Sequence, residues 1–178
     1  KVPADIAASR AIKDYQTNIE LFNAKAKIVW ATAKTLGTGA ILVAASGNES
    51  RRTENPNYTV DATIPGAANN VICVGAIDKN MKVASFSNTG CLLSAPGVSV
   101  LSSIPGGELG VKDGTSMAVP HVAGICALWT QKIFQNKPRP SLWTVDVETQ
   151  VRANATKLDG SRLDYGLGLI KAPQNFNE

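Results

Sequence analysis

The sequence predicts an α/β fold organised around a mostly parallel sheet. Residues 40–45 and 71–76 are short, uncharged apolar runs bounded by glycine or polar turn residues, which is typical of strands buried on both faces of a parallel sheet. Apolar residues recur every three or four positions over 12–36, which is the spacing of an amphipathic helix. Because helices and strands alternate along the rest of the chain as well, the pattern indicates the α/β class.

The remaining elements can be placed in chain order. A polar loop over 46–61 follows the first strand, and a further strand is predicted over 98–104, ending at a hairpin-like turn over 105–107. A helix is predicted over 116–131, and because it is apolar nearly all round we expect it to be buried at the centre of the fold. Another helix is predicted over 141–154.

Length and composition describe one globular domain and exclude several classes of protein. The chain has 178 residues, of which 44% are hydrophobic, so it can bury a core. Its net charge of +4 comes from lysines and arginines that are scattered rather than arranged in a stripe, which argues against nucleic-acid binding. No apolar run is long enough for a membrane span, and the first residues lack the charged-then-apolar pattern of a signal peptide.

The three cysteines give no sign of a metal centre. Cys73 and Cys126 lie in apolar segments, where we expect them to be buried as small hydrophobic residues. Cys91 follows a turn, where we expect more exposure. An odd number of cysteines cannot all pair within the chain, and no Cys/His spacing typical of zinc sites occurs.

The clearest indication of catalysis is the segment Asp-Gly-Thr-Ser-Met-Ala-Val-Pro-His-Val-Ala-Gly over 113–124. Gly114 permits a sharp bend before a helix start, where N–H groups without helical partners and the positive end of the helix dipole favour negative charge. A serine at this place, Ser116, can attack a carbonyl group while nearby N–H groups stabilise the oxyanion that forms.

The base that such a serine needs is not found in the same segment. His121 is the only histidine of the chain. On a helix, five residues correspond to about 500° of rotation and roughly 7.5 Å of rise. His121 therefore points away from Ser116 and cannot reach its hydroxyl group, and we interpret it as a packing residue.

A second indication of catalysis is the asparagine that follows the first predicted strand. Asn48 comes directly after the apolar run and a Ser-Gly turn. Ligands of open parallel sheets bind beyond the carboxyl ends of the strands, where an asparagine can aim its amide N–H at a developing oxyanion. An asparagine in a turn is by itself weak evidence, and it is the combination with Ser116 that predicts a role in catalysis.

Both segments resemble the subtilisin-like serine proteases, or subtilases. Residues 114–124 are similar to the nucleophile motif of that family, with Ser116 in the nucleophile's place. Val-Ala-Ala-Ser-Gly-Asn over 43–48 is similar to the strand that ends in the family's oxyanion-hole asparagine, which assigns that role to Asn48. Further segments match the family in order, at 64–77, 84–90, 94–97 and 155–170, so that the resemblance covers about residues 36–172.

The resemblance implies a three-layer subtilisin-like fold with a mostly parallel central sheet, of which residues 1–178 supply the C-terminal portion. Ala45 and Gly47 would line one wall of the pocket for the side chain before the scissile bond, where small residues suit a bulky substrate side chain. Thr115, next to the nucleophile, is expected to contact the substrate, and the bond before Pro65 is expected to be cis. Family members often bind calcium, but no acidic cluster has calcium-loop spacing, so we predict no metal site and no cofactor.

The catalytic residues of subtilases follow the order Asp, His, Ser, and only the serine has a counterpart in this chain. We therefore expect a serine endopeptidase that cleaves peptide bonds through an acyl-enzyme on Ser116, with His and Asp supplied by a tightly docked N-terminal companion segment. Alone, the chain is expected to be inactive and to expose an apolar sheet edge. Its protein substrate is expected to bind as an extended strand. The family also predicts a secreted or otherwise exported protein.

Two alternatives belong to other classes of protein. The first is a non-catalytic subtilase-like module that only binds peptides or partners, but such a module needs neither Ser116 nor Asn48. The second is an unrelated serine hydrolase. The Gly-x-Ser-x-Gly pattern of that class is absent, because Ala118 stands two positions after Ser116.

Overall fold

The first element is a long helix with few contacts to the rest of the protein. In the computed structural model, which describes residues 2–36, 39–135 and 143–174, helix α1 spans Ala4–Leu36 and so begins earlier than the predicted residue 12. Of its described side chains only Ala26 is buried, whereas several apolar ones such as Ile28 are exposed. Although α1 is long, neither it nor any other helix in the described residues is apolar enough to cross a bilayer.

A parallel three-stranded sheet in the order β1-β2-β3 forms the centre of the fold. Strand β1 spans Leu42–Ala45, β2 spans Val71–Ile77 and β3 spans Leu93–Pro96. Both neighbouring pairs are parallel, which confirms the two predicted strands and their direction. The sequence does not predict β3, because its four residues include a serine and end in a proline.

The two predicted strands of this sheet differ in burial. Strand β2 is buried at every position after its first residue. Every residue of β1 is only partly buried, so the prediction of burial on both faces is wrong for this strand. The reason is its place in the sheet: within the described residues, β1 has a strand neighbour on one side only.

A two-stranded antiparallel hairpin precedes the segment that carries Ser116. Strand β4 spans Val100–Ile104 and β5 spans Glu108–Lys112, so the predicted strand and turn are confirmed. Gly106 and Gly107 form the turn with φ values of 98° and 82°, a conformation that glycine adopts readily. The short run Glu-Leu-Gly-Val-Lys of β5 does not stand out in the sequence.

Helix α2 (Thr115–Phe134) covers one face of the sheet, and helix α3 (Trp143–Ala153) packs against α2. Val122 of α2 and Val147 of α3 are fully buried in the core that these elements share. The opposite side of α2 is exposed, so the expectation of burial all round is wrong: sheet and α3 contact one side of the helix only. Of the helix predicted over 141–154, residues 141 and 142 lie outside the described residues. The exposed residues on the outer side of α2 are Ala123, Gly124, Ala127 and Leu128.

All three cysteines are buried and free, so the expected exposure of Cys91 is wrong. The segment of Cys91 packs beneath the short helix α4 (Arg162–Tyr165), with Cys91 Sγ 3.4 Å from the carbonyl oxygen of Asp164. Burial raises the pKa of Cys73 to about 12 and that of Cys126 to about 11, and it raises the pKa of Cys91 as well. Within the described residues, no group of three or more His, Cys, Asp or Glu side chains is arranged to hold a metal ion.

Candidate active site

Ser116 stands at the surface in the first turn of α2. Gly114 precedes the helix with a φ of 151°, and its N–H donates to the carbonyl oxygen of Gly97 at 2.8 Å, which fixes the bend. The Ser116 side chain is exposed, and its backbone N–H has no acceptor among the described residues. One residue thus presents a hydroxyl group and an unpaired N–H at the positive end of a helix.

Asn48 lies beside this helix start, three residues after the end of β1. Its Oδ1 accepts two hydrogen bonds from Thr115, one from the backbone N–H at 2.8 Å and one from the hydroxyl group at 2.9 Å. The carboxamide also lies close to Gly114, where a Cβ atom would be 3.8 Å from both Nδ2 and Oδ1. Because Oδ1 is held in this way, Nδ2 remains as a donor without an acceptor in the described part of the chain.

Thr115 connects the start of α2 to the loop that carries Asn48. Its side chain is 0% exposed, and its Oγ1 accepts a hydrogen bond from the Gly47 N–H at 3.3 Å while it donates to Asn48 Oδ1. These contacts join the helix start to the loop after β1. The substrate contact expected of Thr115 stays a prediction, whereas its contacts with Gly47 and Asn48 are direct.

The arrangement can stabilise a developing negative charge. Asn48 Nδ2 and the Ser116 N–H are two donors on adjoining segments, and neither is used by the described part of the fold. Acyl transfer from a serine needs donors of this kind at the oxygen of the attacked carbonyl group, because the charge develops there in the transition state.

The residues expected to line the substrate pocket lie at the carboxyl end of β1, where Ala45 is the last residue of the strand and Gly47 follows two positions later. Gly47 has a φ of 112°, and a Cβ atom there would lie 2.4 Å from Asn88 Nδ2. A Cβ atom on Gly66 would lie 2.4 Å from the carbonyl oxygen of Ala45. Both positions therefore require glycine. The bond between Ile64 and Pro65 is cis, which confirms that prediction.

His121 does not take part in this arrangement. Its Nδ1 lies 2.9 Å from the carbonyl oxygen of Met117, one turn earlier on the same helix. The ring is exposed, so the interpretation of His121 as a packing residue is wrong.

Two residues near the site are not singled out by sequence reasoning. Gly66 follows a proline in a loop, where a glycine is unremarkable until the backbone of Ala45 is seen against it. Asn88 belongs to the Ser-Phe-Ser-Asn-Thr-Gly segment over 84–90, which the sequence marks only through its resemblance to the family. In the fold it is fully buried beside the loop that carries Asn48.

Comparison with known proteins identifies the family. The family model described as the subtilase family, peptidase S8, matches residues 9–169. Subtilisin of Bacillus pumilus is 39% identical over 139 residues, covering 77% of this chain and 46% of the relative. M-protease of Shouchella clausii (strain KSM-K16) is 40% identical over 136 residues, covering 75% and 32%, respectively. Alkaline elastase YaB of Bacillus sp. (strain YaB) is 37% identical over 144 residues, covering 80% and 34%.

The chain thus spans between about a third and a half of the length of these curated relatives. The family match includes both Asn48 and Ser116, the two residues that the fold brings together through Thr115. The family match extends over most of the chain, and the three relatives are 37–40% identical to it in sequence. The chain therefore belongs to the subtilase family of serine peptidases.

Proposed function

We propose that this chain is the C-terminal portion of a subtilase catalytic domain, and that it cleaves peptide bonds as an endopeptidase together with a companion segment that supplies His and Asp. The observation that carries the proposal is the double hydrogen bond from Thr115 to Asn48 Oδ1, which leaves a side-chain N–H donor beside an exposed serine.

The reaction follows from these groups. Ser116 Oγ attacks the carbonyl carbon of the substrate, and its proton passes to the histidine of the companion segment. Asn48 Nδ2 and the Ser116 N–H hold the oxyanion of the tetrahedral intermediate. Collapse of the intermediate releases the amine, which takes the proton from the histidine, and leaves an acyl-enzyme that water then hydrolyses. These proposed steps use protein side chains, a backbone N–H group and water.

We propose a docking surface for the companion segment. Residues of α2, of β1 and of the first turn of α3 border a cavity of about 290 Å³ beside the open edge of β1, which we call the outer groove. Apolar side chains predominate there, and an open strand edge beside them can accept a further strand. We propose that the companion segment covers this groove and adds a strand to β1. The groove is lined by Ile41, Val43, Ala123, Cys126, Ala127, Thr130 and Trp143.

The substrate is proposed to be a protein chain that binds in extended form, with a bulky side chain before the scissile bond. Gly47 and Ala45 support this, because neither projects a large side chain into the space beside Asn48. The family also supports a secreted or otherwise exported enzyme.

The proposal is tested by labelling. The chain is expressed alone and together with the preceding segment of its protease, and both samples are treated with a fluorophosphonate that reacts with activated serines. We expect labelling at Ser116 only when the companion segment is present, and none in the Ser116→Ala variant. If the complete protease contains His and Asp but Ser116 stays unlabelled, the protein is instead a non-catalytic module that binds peptides.

A further inference from the structure

Asn88 is a buried polar side chain without a part in the proposed chemistry, yet it has the densest set of hydrogen bonds near the site. It is 0% exposed. Uncharged amides are seldom buried so completely unless every donor and acceptor is used, because an unpaired buried amide costs about 1–3 kcal/mol. The partners of Asn88 therefore indicate what its burial achieves.

The oxygen of Asn88 binds the loop after Asn48. Its Oδ1 accepts hydrogen bonds from the backbone N–H groups of Glu49 and Ser50, both at 3.0 Å, and from the Ser50 hydroxyl group at 3.2 Å. Ser50 is itself buried. The two residues that follow Asn48 are thus fixed by one acceptor atom.

The nitrogen atoms of Asn88 donate hydrogen bonds to residues on both sides of Asn48. Its Nδ2 donates to the carbonyl oxygen of Ser46 at 3.3 Å and to Glu49 Oε2 at 2.6 Å, and its backbone N–H donates to the carbonyl oxygen of Gly47 at 3.1 Å. Asn88 thus contacts the two residues before Asn48 and the two after it. Asn48 itself is held by Thr115 instead.

Asn88 is in turn attached to the sheet. Its neighbour Ser87 is also fully buried, and Ser87 Oγ accepts a hydrogen bond from the Ala76 N–H of β2 at 3.0 Å. The Thr89 N–H donates to the carbonyl oxygen of Val60 at 2.8 Å. The segment that carries Asn88 is therefore fixed by its own hydrogen bonds, and the loop over 46–50 is hydrogen-bonded to this segment.

We propose that Asn88 is a positioning residue for the oxyanion hole: it holds the backbone on both sides of Asn48, so that Asn48 Nδ2 stays in place as the transition state forms. This inference rests on the proposed function of Ser116 and Asn48. Thr115 sets the orientation of the carboxamide, and Asn88 sets the position of the backbone from which it extends. A misplacement of about 1 Å in such a donor can cost on the order of 10²-fold in rate.

The test compares variants of the complete protease, with the companion segment present and active enzyme counted by fluorophosphonate titration. Asn88→Ala is expected to lower kcat by about 10–100-fold with KM changed less than about threefold, because the donor acts on the transition state. Asn88→Ser keeps a hydroxyl group that can form a hydrogen bond and places no charge beside Glu49, so it is expected to lose less. Val147→Ala is the control. It removes buried side-chain volume on α3 and so lowers the stability of the fold without changing any residue of the loop over 46–50.

The decisive measurement combines Asn88→Ala with Asn48→Ala. If Asn88 acts through Asn48, the double variant has nearly the kcat of Asn48→Ala alone, because the donor to be positioned is already gone. A loss that adds in full to that of Asn48→Ala overturns the inference, as does a kcat for Asn88→Ala equal to that of Val147→Ala. If Asn88→Ala yields no titratable enzyme, the same cycle is run with Asn88→Ser and judged by the same outcomes. An unlabelled wild type overturns the proposed function and the inference together, whereas a labelled, active wild type with additive losses overturns the inference alone.

Discussion

The loop over 46–50 and the outer groove both face solvent, but they differ in polarity and in how completely their backbone groups are hydrogen-bonded. In the loop, Asn48 and Glu49 are exposed while the backbone around them is bonded to Asn88 and to Thr115. The outer groove presents apolar side chains next to a strand edge whose outward backbone groups have no strand partner in the described residues. The loop is a completed polar surface, whereas the groove is a surface that favours a partner.

This difference indicates which part of the proposed active site is already held in place by contacts within this chain. Oxyanion donors act without reorganisation only if they are fixed before the substrate arrives. The contacts that fix Asn48 all come from within this chain, through Thr115 directly and through Asn88 at the neighbouring residues. The histidine and aspartate that the proposed mechanism needs would have to be fixed by docking on the other side. The predictions below test each side of this comparison separately.

The largest effect is expected for Ser116→Ala. Removal of the nucleophile should lower kcat of the complete protease by about 10⁶-fold, a magnitude measured in subtilisin itself. The outer groove is unchanged by this substitution, so binding of the companion segment should be as in the wild type. Peptide hydrolysis and affinity for the companion segment are measured side by side, with Ser103→Ala in the exposed hairpin as the control. Full activity of Ser116→Ala would mean that another residue is the nucleophile.

Asn48→Ala is expected to have the next largest effect. In subtilisin, loss of the corresponding donor costs about 10²–10³ in kcat, and the anchored geometry of Asn48 supports a loss of the same order here. Steady-state kinetics should place the loss in kcat, because the donor acts on charge that is absent from the bound substrate. Asn57→Ala, in the exposed part of the following loop, serves as the control. A change confined to KM would argue for a role in substrate binding instead.

Ala127→Glu tests the other side of the comparison. Ala127 is exposed, so the free energy of unfolding of the chain should change by less than about 0.5 kcal/mol. Docking of the companion segment would bury the new carboxylate without a partner, and we expect affinity for that segment to fall on the order of 100-fold. Binding is measured by titration with the labelled companion segment, and Ala11→Glu on the exposed side of α1 is the matched control. Equal loss in both variants would place the companion segment elsewhere.

The sequence predicts those parts of the fold and site that rest on local pattern. The apolar run of β2, the glycine turn of the hairpin and the segment around Ser116 are strong local patterns, and each of these elements lies where it is expected. Strand β3 is too short and too polar for its pattern to be seen, since its burial comes from the pairing with β2 rather than from its own residues.

What the sequence does not predict depends on contacts between distant segments. The partial burial of β1 follows from its position at an edge, which its apolar pattern does not encode; an exposed apolar edge is expected only from the resemblance to the family. Cys91 follows a turn and looks exposed until helix α4, some 70 residues later, is packed against it. The bonds from Asn88 to the loop over 46–50 likewise span about 40 residues, so a buried support of this kind is invisible until the fold brings the two segments together.

The smallest expected effect is a difference in alkylation rate between two buried thiols, one at the outer groove and one away from it. Cys126 lines the outer groove, whereas Cys73 lies in β2 on the other face of the sheet from α2. Burial raises the pKa of Cys126 to about 11 and that of Cys73 to about 12, so both are almost wholly protonated at pH 8. Because the thiolate is the reactive form, iodoacetamide should alkylate both cysteines slowly at pH 8, and the ratio of the two rates then reports how accessible each thiol is. Both rates should rise as the pH is raised toward these pKa values.

The companion segment should change this ratio, because it covers only one of the two thiols. Peptide mapping by mass spectrometry gives the alkylation rate of each cysteine in the wild-type complex and in Ala127→Glu, whose groove is left open. We expect Cys126 to react faster in the variant while the rate at Cys73 stays the same. Equal acceleration at both cysteines would mean that the companion segment acts on the stability of the whole chain. Acceleration at Cys126 alone would instead mean that the groove is the covered surface, and the loop that carries Asn48 would then be the part of the active site that needs no such cover.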